Sequence, residues 1–319
     1  MEKQKKFKLP KLFDMNRDGR GVDPGEDTTP NLKYFFKLFF RKFSNLLTLN
    51  LIMFAMVIPI AVSVYLLFNG PQMPTMSSPA FSALMGSQLT GAGGSELLTK
   101  LMLSFPQVNF ITYNSYIRWV LIALLGILAV TWGWQNTAVT YILRGLVRGD
   151  GVFMFSDYFY AIKKNFKQGF VLGLIDAGVI TILIVDFIYT WSMRSNYWSY
   201  LMFFAITALI IVYLFMRMYL YLMMITFNIS LFKMLKNALI FTALGIKRNL
   251  MAGLGTGLCV ALWAALAFIG LQYNLGFLIF IPALIMFALI SFISVYCAYP
   301  VIKKHMIDPV IVPSQNNEQ

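Results

Sequence analysis

The sequence predicts an all-α, polytopic membrane helical bundle: six transmembrane helices, with amphipathic interfacial helices along the cytoplasmic surface. Three observations carry this. The chain of 319 residues is 59% hydrophobic and 12% charged, against about 25% charged in an ordinary globular domain, and no soluble core of this size hides so much apolar side chain. The apolar residues fall in charge-free runs long enough to cross ~30 Å of hydrocarbon as helices. The 26 Lys and Arg outnumber the 13 Asp and Glu and sit between those runs. That placement points to membrane topology and anionic headgroups, not to a nucleic-acid partner.

Residues 1–32 are charged, contain a Gly/Pro/Asp run over 18–30, and are expected to form a mobile cytoplasmic tail. The membrane domain then occupies 33–304. Its spans are read where charge disappears: 46–68, 119–143, 169–190, 199–227, 250–270 and 275–300. The last two come from one uncharged stretch that Gln272-Tyr273-Asn274 divides as a turn. Trp119, Trp132 and Trp134 are possible interface anchors for the second span. Residues 305–319 form a second cytoplasmic tail. Twenty-two of the 26 Lys and Arg fall on one side of this arrangement, which the positive-inside rule makes cytoplasmic. No cleavable signal peptide is expected, because mostly polar and basic residues precede the first apolar run. The external segment 69–116 is rich in Gly, Ser, Pro and Met. It reads as a surface loop or as a cap for an external partner, with 95–103 able to form a short outer-leaflet helix.

An internal repeat lies on the basic side. Lys163-Lys164-Asn165-Phe166, then Gly169 and Gly173, parallels Lys247-Arg248-Asn249-Leu250, then Gly253 and Gly257, with Arg41 to Leu46 a fainter copy. Each copy reads as an amphipathic helix in the inner leaflet, a basic-Asn corner, then a rising helix. Ser156 or Asp157 is the expected N-cap of the second in-plane helix. These basic, amide and acidic residues, together with Arg144, are the candidates for a cytoplasmic interface. The glycine pairs, spaced four apart, suit close helix packing. Gly253, Gly255 and Gly257 do not make a nucleotide loop, since no strand precedes them.

Candidate chemistry is confined to charges inside the spans. Asp176 and Arg217 stand on neighbouring antiparallel spans, at depths of roughly 10 and 16 Å from the inner end, so they can pair. The pair is either a structural bridge or a substrate or proton site. Asp186 lies nearer the outer face and can meet water or Arg194. Asn50, Gln135, Asn136 and Asn228 are candidates for hydrogen bonds between helices. Cys259 and Cys297 are isolated and His305 stands alone in a basic tail, so neither a disulfide framework nor a metal site is expected. No nucleophile–base pair is visible. The chain is expected to be no enzyme and to need no cofactor.

Two segments carry a family resemblance. The run from Thr29-Pro30 through Tyr34-Phe35-Phe36 to Phe43, followed by Leu49-Asn50-Leu51 and Pro59-Ile60, resembles the opening of the YesL-like membrane proteins of Firmicutes, domain of unknown function 624. Asn136 to Arg144, Ser156-Asp157-Tyr158-Phe159 and Lys163 to Gln168 are similar to that family's central signature. The stretch from 61 to 130 is longer here than the family usually shows. The resemblance implies a multipass cell-membrane protein, often encoded near carbohydrate uptake systems, with no established activity. The expected role is an accessory or assembly subunit linked to a carbohydrate ATP-binding-cassette importer. Its partners would be the lipid bilayer and the importer's permease or ATPase subunits. The alternative is an autonomous small-molecule transporter or channel that uses the intramembrane charges.

Overall fold

A computed structural model of the chain describes residues 28–69, 115–193 and 197–309. The expectations for most of the first tail, for the external segment beyond 69, for Arg194 and for the end of the second tail lie outside these residues. Every regular element described is helical: α1 (Leu32–Arg41), α2 (Phe43–Asn69), α3 (Ser115–Arg148), α4 (Met154–Lys164), α5 (Phe166–Ser192), α6 (Tyr197–Thr226), α7 (Leu231–Leu244), α8 (Ile246–Gln272) and α9 (Phe277–Ile302), which a π-helical turn extends over Lys303–Ile307. Six of these, α2, α3, α5, α6, α8 and α9, are long and apolar enough to cross a membrane. The chain divides into two compact units, one running up to Ala55 and resuming at Ala129, the other covering Met56–Leu128. The second unit holds the later part of α2, with Pro59 inside the helix, and the first part of α3. All further description concerns the first unit.

The three short helices are built alike. Each ends on a single residue in the bridge region of backbone space, and the long helix starts immediately after it: Lys42 (φ −105°, ψ 16°), Asn165 (φ −113°, ψ 26°) and Gly245 (φ −89°, ψ 15°). Each corner residue is hydrogen-bonded to both helices. The corner N–H donates to Leu38, Ala161 or Phe241 at 2.9, 3.2 and 2.8 Å, and the corner carbonyl accepts from Leu46, Gly169 or Asn249. The repeat is therefore real, but its register differs from the sequence reading. Asn165 is a corner, whereas Asn249 lies one turn inside α8 and Gly245 holds the corner. Asp157 is not the N-cap of α4 either. Phe153 occupies that position, and its N–H donates to the Asp157 carboxylate at 2.8 Å, a capping contact made from within the first turn.

Two helix ends close by the same device. Gly149 (φ 82°) and Asn274 (φ 54°) adopt the left-handed conformation, and the following N–H groups, of Asp150 and Leu275, reach back to the carbonyls of Gly145 and Gly270 at 2.9 and 2.7 Å. The turn expected at Gln272–Asn274 is thus a helix cap. At the other end of the unit the chain is tied down earlier than expected. Asn31 caps α1 by accepting the Tyr34 N–H at 2.7 Å, Tyr296 donates to the Asn31 carbonyl at 2.7 Å, and Arg248 donates to the Pro30 carbonyl at 2.8 Å. Pro30 and Asn31, assigned to the first tail, are thus bonded to the helices. His305, assigned to the second tail, lies within the π turn.

Packing rests on small and amide residues. A Cβ on Gly133 of α3 would collide with the Gly169 carbonyl and the Gly173 backbone, and one on Gly173 would collide with the Gly133 backbone. The α3 and α5 backbones therefore touch, and only glycine fits. Gly253 lies beside the Phe215 ring, 3.3 Å from a would-be Cβ, but Gly257 would meet nothing within 4 Å. The expectation of close packing at Gly257 is corrected: no neighbouring backbone approaches α8 there. Asn50, fully buried on α2, donates to the Ala283 carbonyl and accepts from the Ala288 N–H, both at 2.9 Å, locking α2 to α9. Gln135 donates to the Met53 carbonyl at 3.3 Å.

Replacing Gly133 by Leu should overpack this contact, destabilising by about 1–3 kcal/mol or more and lowering the melting temperature in detergent, while Gly257→Leu leaves it unchanged. Asn50→Leu, which removes both side-chain hydrogen bonds between α2 and α9, should destabilise by about 1–3 kcal/mol, roughly 0.5–1.5 for each bond, in the same melting assay.

Candidate functional site

α6 carries Tyr213, Arg217 and Tyr221 at intervals of four, so the three side chains line one helical face. α3 carries Trp132 and Asn136 at the same interval, and α5 contributes Asp176. The Gly133 contact brings α3 against α5 and sets Trp132 and Asn136 beside that carboxylate. Asp176 is 0% exposed. Its Oδ1 accepts from Tyr213 Oη at 2.8 Å and from Arg217 Nε at 3.0 Å. Its Oδ2 accepts from Tyr221 Oη at 2.8 Å, from Trp132 Nε1 at 3.0 Å and from Arg217 Nε at 2.9 Å. Arg217 also donates to Asn136 Oδ1 at 2.8 Å, and the Asn136 amide donates to the Trp132 carbonyl at 2.8 Å. The guanidinium lies 5.5 Å from the ring centroids of both Trp132 and Tyr221, within cation–π range.

A carboxylate in hydrocarbon is tolerable only when its charge is matched and its lone pairs are occupied. Here one cation and three neutral donors do both, and three helices meet at one group. No surface of the carboxylate remains for water or substrate. Chemically the cluster is a lock. Asp186, further along α5, is half-buried and lies outside it; its backbone carbonyl accepts from Thr190 at 2.7 Å.

The basic-side candidates separate into two groups. Arg144, half-buried, donates to the Ile225 carbonyl at 3.0 Å and to Thr226 Oγ1 at 3.1 Å, capping the C-terminus of α6 as a cation should. Asn249 is fully buried, accepting from Tyr219 Oη at 2.6 Å and donating to the Thr242 carbonyl at 2.9 Å. Asn165 donates to the Ala161 carbonyl one turn back at 3.0 Å. Together with Asp157 and Arg248, these residues make contacts within the chain. Lys163, Lys164 and Lys247 remain exposed. Trp132 and Trp134 are corrected from interface anchors to helix ties. Trp134 stacks on Phe166 at 4.5 Å and donates to its carbonyl at 2.9 Å. Outside the spans, burial pushes the Tyr158 phenol up to about 12, so it stays neutral. Burial, with the nearby Arg41 charge, lowers the Lys42 ammonium.

Residues 113–187 match the family model of DUF624, described as a protein of unknown function. The match covers less than half of the chain. It contains Trp132, Gly133, Asn136, Gly169, Gly173 and Asp176, so the α3–α5 half of the lock lies inside it, while Arg217 and its two tyrosines lie beyond. No curated protein and no solved structure matches the chain.

Sequence reasoning found Asp176, Arg217 and Asn136 but missed Trp132, Gly133, Tyr213 and Tyr221. The signal was present in the Tyr-x-x-x-Arg-x-x-x-Tyr spacing. Asp176→Asn, or Arg217→Gln, should cost about 3–5 kcal/mol, because each leaves a buried charge without its partner. Tyr213→Phe and Tyr221→Phe should each cost about 1 kcal/mol. A double-mutant cycle by thermal unfolding in detergent measures this, and the Asp176/Arg217 double variant should lose less than the sum of the singles.

Proposed function

We propose that this chain is a non-enzymatic, multipass protein of a bacterial cell membrane, with both termini in the cytoplasm. In this reading it serves as an accessory or assembly subunit of a carbohydrate ATP-binding-cassette importer. The observation that carries the reading is the saturation of Asp176. The one fully buried charge among the described residues holds helices together, so the features left for partners are peripheral. These are the aromatic faces of α1 and α4, with Phe36, Phe40, Phe155 and Phe159 exposed, and the exposed lysines at the α4–α5 corner. The YesL-like resemblance supports the link to carbohydrate uptake. Affinity purification of the tagged chain from solubilised membranes should co-purify permease or ATPase subunits, and a deletion strain should take up glycans more slowly. Recovery of neither subunit together with normal uptake overturns the proposal.

An autonomous transporter is the second reading. It is favoured by the Arg217 side chain, which keeps 25% of its surface exposed inside a span. On that reading, proteoliposomes carrying the wild-type chain show a solute flux that Asp176→Asn abolishes even where the variant remains folded.

A further inference from the structure

The corner between α4 and α5 faces the C-terminal end of α6 across a groove of about 650 Å³. Lys163, Lys164 and Lys167 line it from the corner, and Thr226 and Asn228 from the far wall. All three lysines are exposed, and among the described residues none of them has a carboxylate partner and no lining residue is acidic. Lys164 lies 5.8 Å from the Tyr160 ring, which orients its stem without neutralising its charge. One feature opposes an anion here, namely the negative end of the α6 dipole. Arg144 offsets it by donating to the Ile225 carbonyl at 3.0 Å.

A second cavity, of about 480 Å³, meets the groove at Lys163 and is lined by Phe155, Ser156, Phe159 and Tyr160. Phe155 and Phe159 of α4, with Phe166 at the start of α5, are each half or more exposed. They stand beside the lysines where a helix apolar enough to span the membrane begins. Cations directly bordered by exposed aromatic rings, at the foot of such a helix, match a molecule with an anionic head and an apolar body. A soluble anion would have no use for the rings.

The geometry points to a binding site for the phosphate of an anionic phospholipid headgroup, held by Lys163, Lys164 and Lys167 with the acyl chains against Phe155, Phe159 and Phe166. The site is independent of any importer partner. Each lysine near an anionic surface contributes about five-fold in affinity, so losing all three should weaken binding by roughly a hundred-fold if they act independently. The test uses the full-length chain in neutral detergent, titrated with phosphatidylglycerol or phosphatidylcholine, with bound lipid counted by native mass spectrometry. Wild type should retain phosphatidylglycerol in preference to phosphatidylcholine. The triple variant K163Q/K164Q/K167Q should lose that preference, the triple Lys→Arg variant should keep it, and K303Q/K304Q should leave it intact. Equal retention of the two lipids by wild type, or unchanged phosphatidylglycerol binding in the triple Gln variant, overturns the inference. Displacement of the lipid by inorganic phosphate at comparable concentration also overturns it, since the groove would then be a site for a free anion.

Discussion

The desolvation of one carboxylate governs how α3, α5 and α6 are arranged. Inside hydrocarbon, Asp176 cannot borrow hydrogen bonds from water, so its charge must be answered by groups brought from elsewhere in the chain. Arg217 answers the charge, and Tyr213, Tyr221 and Trp132 fill the remaining lone pairs. Each donor sits on a different helix from the acceptor. Satisfying the carboxylate therefore fixes the rotation of α6 about its axis and the depth of α3 relative to α5. The glycine contact at 133, 169 and 173 is the steric half of the same constraint, since without it Trp132 would stand too far from α5 to donate. The cluster is directional where lipid-facing packing is not, and gives these helices a single register.

A second, gentler constraint acts at the three corners. Each short helix turns into a long one through a single bridge-region residue that is hydrogen-bonded to both. Residue identity differs among the corners, Lys42, Asn165 and Gly245, although at Gly245 the Tyr219 hydroxyl leaves no room for a side chain. What recurs is a small or apolar residue buried four positions before it, and another four or seven positions after it. Basic residues cluster nearby because the corner is where the chain leaves the apolar run.

This explains what could be read from the sequence. The spanning helices were legible because charge-free length is a property of the chain alone. The corners were legible as a repeat but one turn out of register, because aligning on the basic-Asn string privileges residues that the corner does not require. Asp176 and Arg217 were legible because charges stand out in an apolar run. Their aromatic donors were not, since Tyr and Trp in such a run read equally well as lipid-facing. The glycine spacing marks where a backbone approach is permitted. Whether it happens depends on the neighbour, which is why Gly173 is in contact and the equivalently spaced Gly257 is open.

The ties between the two ends of the chain carry a consequence for biogenesis. Asn50 on α2 finds its partners on α9, Asn31 is held by Tyr296, and Pro30 by Arg248. A ribosome delivers α2 to the insertion machinery long before α9 has been made. During that interval the Asn50 amide enters the bilayer with neither partner yet synthesised, so the first helix pair is held only provisionally until translation is nearly finished. The first-made segment of the domain is thus among the last to reach its final contacts, and a message cut short before α9 yields a product whose opening helices never close.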